Sequence, residues 1–138
     1  MRAWIAIILI TTVTLVGCRD SDATDPEAML RLASALTKLS AAVESTCRYK
    51  NPPEGLRDAG LVNFATSHDP SLSAPFRGYV VRGKCEERHG VVLICDKEDN
   101  RALLEDTGCS ARLDAHLWQA DPPRACEFTV KVEQACAP

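Results

Sequence analysis

Acid–base chemistry in this chain would have to start from three histidines, His68, His89 and His116, and the acidic residues near them. Nucleophilic catalysis needs a hydroxyl or thiol within reach of such a base. The sequence has no Gly-x-Ser-x-Gly elbow and no Ser-x-x-Lys. His68-Asp69 lies among small polar residues and reads as a solvated turn. His89 beside Gly90 reads as a turn residue, and His116 as the polar side of a short helix. Glu86-Glu87 and Glu105-Asp106 are paired carboxylates in strand-like stretches, where neighbours point to opposite faces. Neither pair can close on one bond, as glycoside hydrolysis requires. Cys-x-x-Cys and His-x-x-x-His are absent. Asp96-Lys97-Glu98-Asp99-Asn100 offers oxygen ligands but lacks the glycine and closing glutamate of an EF-hand loop, so it too reads as a solvated turn. No catalytic residue, metal or cofactor is expected, and the chain is read as a non-enzyme.

The seven cysteines are the other reactive group, and Cys18 stands apart from the rest. Met1-Arg2 is a short cationic start, residues 3–16 form a 14-residue apolar run, and Leu15-Val16-Gly17-Cys18 leads at once into polar Arg19-Asp20-Ser21-Asp22. The run is shorter than the ~20 residues a membrane-crossing helix needs and suits a cleavable signal. These features resemble the export signal of bacterial lipoproteins, with the last four apolar-to-cysteine residues as the lipobox. The resemblance implies that Cys18 receives a diacylglycerol, that cleavage falls between Gly17 and Cys18, and that the new amino group is acylated, palmitate being the typical fatty acid. One acyl chain binds a membrane reversibly, whereas several anchor it. By the family's sorting rule, Arg19 rather than Asp after the cysteine implies the outer membrane, periplasmic face. The membrane is thus the first partner implied.

Removing 17 of the 138 residues leaves 121, the length of one domain with a modest core. Residues 18–24 read as a lipidated flexible tether and residues 25–138 as the domain. Arg2 leaves with the signal, so 15 Lys+Arg face 19 Asp+Glu. No basic patch stands out, and nucleic-acid binding has no electrostatic support. Six cysteines remain, Cys47, Cys85, Cys95, Cys109, Cys126 and Cys136, and an even count in an exported chain reads as a disulfide framework.

The elements that must position these residues follow from periodicity. Thr24 and Glu27 fit a capping box with Pro26 in the first turn. Met29, Leu32, Leu36, Leu39 and Val43 recur at helical spacing, with Leu30 and Ala33 widening the stripe, Ser40 and Glu44 off it, and Cys47 on it. The helix must stop before Asn51-Pro52-Pro53. A short helix is expected within residues 53–65, followed by a loop over 66–75 that carries Pro70 and Pro75. Alternation from Tyr79 to Glu86 predicts a strand, a turn at Arg88-His89-Gly90 a hairpin, and residues 91–95 a buried second strand. That hairpin sets Cys85 opposite Cys95, the first pairing expected. Cys126 and Cys136 are left to Cys109 and Cys47 in either order. A third strand is expected over 101–105, a short helix from Ser110 with Leu113 and Leu117 inward, and a last strand through Cys126, Phe128, Val130 and Val132. The fold class is α+β: a long N-terminal helix on a small antiparallel sheet, stapled by up to three disulfides.

Elimination leaves a membrane-anchored, non-enzymatic binding or accessory module for an envelope protein or assembly serving secretion, conjugation or the cell wall. The alternative is a periplasmic inhibitor or immunity protein against a hydrolase or toxin. Its working part would be the loop Ser67, His68, Asp69, Pro70 and Ser71, stiffened by proline on a bridged scaffold.

Overall fold

The computed structural model describes residues 25–109 and 116–137. Cys18, Gly17 and Thr24 lie outside the described residues, as do Ser110 and Leu113 of the expected short helix.

Helix α1 (Pro26–Ser45) starts at Asp25, whose side chain accepts from Glu27 N at 3.1 Å, with Pro26 where no N–H is needed. Met29, Leu32, Leu36, Leu39 and Val43 form its buried face, as their spacing requires. Leu30, expected to widen this stripe, is 70% exposed instead. Ser40 and Glu44, expected off the stripe, are buried because polar groups of the sheet meet them there. A π-helical turn (Thr46–Lys50) extends α1 until Asn51 turns left-handed, one residue before Pro52. Helix α2 (Asp58–Ala65) buries Leu61, Val62 and Ala65. Among the described residues no helix is long and apolar enough to cross a membrane.

Strands β1 (Val80–Glu86), β2 (His89–Cys95) and β3 (Ala102–Thr107) form one antiparallel sheet in that order. The hairpin turn is Glu87-Arg88, both left-handed with φ 51° and 68°. Such two-residue turns match strand twist. The turn therefore falls earlier than expected, and His89 and Gly90 are strand residues. Cys85 pairs with Gly90, and Cys95 with Val80, at opposite ends of the hairpin. The expected Cys85–Cys95 bridge is geometrically excluded. The bridges are Cys47–Cys85, Cys95–Cys126 and Cys109–Cys136. They join α1's extension to β1, β2 to the C-terminal segment, and the end of β3 to the tail.

A bulge in β3 sets Ile94 opposite Leu104 and Cys95 opposite Ala102. Leu103 is the extra residue, so Leu103 and Leu104 both enter the core under α1 and α2. On the other face Leu93, Cys95, Ala102, Leu117 and Cys126 pack together, with Val80 and Phe128 against them.

The last strand expected from sequence does not form. Arg101 bridges Ala125, and Cys126 N donates to Asn100 O at 3.0 Å, after which the chain leaves the sheet. The side chain of Glu105 takes the place of a partner strand. Its carboxylate accepts from Thr129 N at 3.0 and 3.1 Å, from Val130 N at 3.0 Å and from Thr129 Oγ1 at 2.6 Å. The segment ends in a single helical turn, α3 (Val132–Ala135).

Candidate functional site

Two regions place chemistry-bearing groups near the surface. The first is the loop expected from sequence. Asp69 Oδ1 accepts from Ser71 N at 3.2 Å and from Ser71 Oγ at 2.5 Å, opening a tight turn (Pro70–Leu72). A second turn (Ala74–Phe76) follows at once, and Phe76 is buried in the core. Ser67, His68, Asp69, Pro70 and Ser71 are all exposed. His68 and Asp69 do not form a dyad, since the aspartate oxygen is engaged by Ser71. A cleft of about 280 Å³ separates this loop from α1, with Arg31 and Lys38 on its helix side and Leu72 and Pro75 on its loop side. A wider cleft of about 630 Å³ opens beside the Cys47–Cys85 bridge and is edged by Arg57, Lys84, Glu86 and Arg88.

The second region is a corner of the sheet that sequence reasoning missed. Glu44 is 7% exposed. Its Oε2 accepts from Gly90 N at 2.6 Å, and its Oε1 lies 2.8 Å from His89 Nδ1 and 3.7 Å from Arg48 Nε. The Glu44 contact holds the His89 ring in place against the carboxylate. The sulfurs of Cys109 and Cys136 lie beside this pair: one ring nitrogen of His89 and both Sγ atoms sit within 4.8 Å of one another. Thr107 Oγ1 is 2.6 Å from Cys109 Sγ and 3.4 Å from Cys136 Sγ. Two glycines permit this convergence. A Cβ at Gly90 would stand 2.7 Å from Glu44 N, and one at Gly108 2.4 Å from Ser40 O and from Glu44 Cβ. Neither glycine stood out in the sequence, where Gly90 reads as a turn residue and Gly108 as the break after the third strand. With the bridge closed, the corner is a disulfide flanked by a carboxylate-held imidazole.

The paired carboxylates diverge as alternation requires. Glu105 faces the C-terminal segment, while Asp106 Oδ2 accepts from Ser40 Oγ at 2.5 Å on the helix side. Burial pushes the Asp106 carboxyl above its ordinary range, and the Ser40 bond opposes that shift. Glu86 pairs with Lys84, and Glu87 occupies the hairpin turn. In the acidic turn, Asp96 Oδ1 accepts from Glu98 N at 2.7 Å and Asp99 Oδ1 from Arg101 N at 3.2 Å, so these oxygens cap their own backbone. His116 is exposed just before a short turn (Leu117–Gln119) in which Leu117 is buried.

Comparison with protein-family models, with curated proteins and with solved structures finds no match to this chain.

Proposed function

We propose that the chain is a lipid-anchored lipoprotein on the periplasmic face of the outer membrane. It acts as a non-enzymatic binding or accessory module for another envelope protein or assembly. The lipobox ending at Cys18 supports the anchor, and three bridges support folding in an oxidising compartment. The observation that carries the binding role is the loop over 67–71. Its five residues are exposed, yet the backbone is held by the Asp69 cap, two prolines and the buried Phe76. A surface ordered before contact loses little conformational entropy on binding. The divergence of Glu105 from Asp106 and the engagement of Asp69 by Ser71 weigh against an enzyme. The same stiff loop favours, as a second reading, an inhibitor or immunity protein that blocks a hydrolase or toxin.

Cross-linking in growing cells followed by purification of the tagged full-length protein tests the role. Assembly subunits among the captured proteins support the accessory reading, and a hydrolase or toxin supports the second. Replacing Ser67 and His68 by alanine should release the partner without lowering stability. Capture unchanged by that double substitution removes the loop from the proposal. Cys18→Ser should leave an unlipidated precursor that no longer partitions with membranes. Failure of the wild-type chain to incorporate labelled palmitate would end the anchored reading. Hydrolysis of a generic ester, amide or glycoside, lost in His68→Ala, would make the protein an enzyme.

A further inference from the structure

We infer that His89, Cys109 and Cys136 form a redox-gated site for a thiophilic divalent cation, with zinc the best fit. The inference rests on the sheet corner alone and is independent of the lipid anchor and the binding loop. Two cysteine sulfurs and an imidazole nitrogen are a donor set that zinc prefers, at bond lengths of about 2.3 Å to sulfur and about 2.0–2.1 Å to nitrogen. Tetrahedral geometry at those lengths puts ligand atoms about 3.5–3.8 Å apart. The three ligand atoms already lie within 4.8 Å of one another. The two cysteine Cα atoms are 5.5 Å apart, so the thiolates can part by side-chain rotation while the backbone stays. Among the described residues this is the one group of three such ligands.

Two further contacts suit a metal and are not required by a disulfide. Glu44 Oε1 holds His89 Nδ1 at 2.8 Å. A carboxylate behind a metal-binding histidine orients the ring and raises its basicity. The Thr107 hydroxyl lies within reach of both sulfurs and can donate to a thiolate. The fourth position would be open to water or to an incoming ligand.

The gate is the bridge itself. An external dithiol gives two electrons and two protons to Cys109–Cys136. The S–S bond breaks, two thiols form, and the dithiol becomes a disulfide. Zinc then displaces the two thiol protons, so two thiolates balance its charge. Bridge and cation exclude each other.

The test is a zinc titration of the purified full-length protein against a chromophoric chelator, before and after phosphine reduction and anaerobic removal of the phosphine. Oxidised protein should take no zinc and reduced protein one equivalent. Cobalt(II) in place of zinc should show thiolate-to-metal charge transfer. His89→Ala and His89→Gln should each weaken reduced-state binding by at least about tenfold. Joint replacement of Cys109 and Cys136 by serine should abolish it, while joint replacement of Cys47 and Cys85 should not. No zinc uptake after reduction would overturn the inference. So would equal affinity in the His89 variants, or equal affinity of the reduced protein in urea, which would mark binding by unfolded thiols.

Discussion

Gly90 donates its N–H to Glu44 Oε2 at 2.6 Å, and a Cβ on Gly90 would stand only 2.7 Å from the Glu44 backbone nitrogen. The obstacle is helix backbone, which cannot rotate away. Gly90→Ala should therefore cost about 2–3 kcal/mol, the upper part of the range for overpacking. Gly83→Ala is the control, because its Cβ would meet Val62 Cγ2 at 3.4 Å, an ordinary contact. Urea unfolding should show a lower midpoint for Gly90→Ala at unchanged slope and little change for Gly83→Ala. Equal effects at both glycines would mean that the helix does not press on β2 at Gly90.

Glu105 is fully buried and holds two backbone N–H groups and one hydroxyl of the C-terminal segment. Glu105→Gln keeps the shape but turns one acceptor into a donor facing N–H groups. Leaving such a group unpaired costs about 1–3 kcal/mol. Hydrogen exchange reads the effect locally: the amides of Thr129 and Val130 should lose protection while those of Val92 and Ile94 keep theirs under native conditions. Uniform loss would show that the segment is not a separate unit pinned by this carboxylate.

The same residue explains where sequence reading stopped. The stripe from Met29 to Val43 was legible because every member faces one core, and so were three antiparallel strands, the first from its alternation and the second from its unbroken apolar run. Residues 126–132 alternate just as cleanly, and Cys126 and Val132 are buried as their positions implied. Alternation reports burial on one side; it does not report what the backbone amides bond to. Here a buried side chain, Glu105, supplies the acceptors that a neighbouring strand would have supplied, and no local pattern announces that. The hairpin failed for a related reason: Glu87 and Arg88 adopt left-handed backbone that their residue types do not advertise, whereas His89-Gly90 looks like a turn. The two-residue shift that follows also moved Cys85 away from Cys95. The corner around Glu44 was illegible because its members, positions 44, 89, 109 and 136, meet only through the tertiary fold.

Peptide mapping without reductant should recover Cys47–Cys85, Cys95–Cys126 and Cys109–Cys136, with no free thiol among the six. The sequence separations are 38, 31 and 27 residues. Loop-closure entropy then assigns about 3.5–4 kcal/mol to each bridge. Paired serine substitutions should each lower stability by an amount of that order. Recovery of a Cys85–Cys95 peptide would contradict the hairpin register itself, since those residues stand at opposite ends of it.

Asp106 links stability to pH. Burial raises its carboxyl above the ordinary 3.8, and the hydrogen bonds from Ser40 and the Thr107 backbone pull it back without restoring it. Its Oδ1 has no partner among the described residues. The folded state thus binds this proton more tightly than the unfolded chain does. Stability from the protonated form is complete below the unfolded value and is lost as pH rises through the folded one. Asp106→Asn cannot titrate. The free energy of unfolding of the variant minus that of wild type should therefore increase as pH rises from about 3 and level off once wild type is ionised in both states. Each unit by which the carboxyl is raised corresponds to about 1.4 kcal/mol of that change. Ser40→Ala removes the bond that favours the ionised form, so it should move the levelling point to higher pH. Urea midpoints across about pH 3–7 measure both effects. A difference that is flat with pH, or that falls as pH rises, would show that Asp106 is solvated where the fold places it against Ser40.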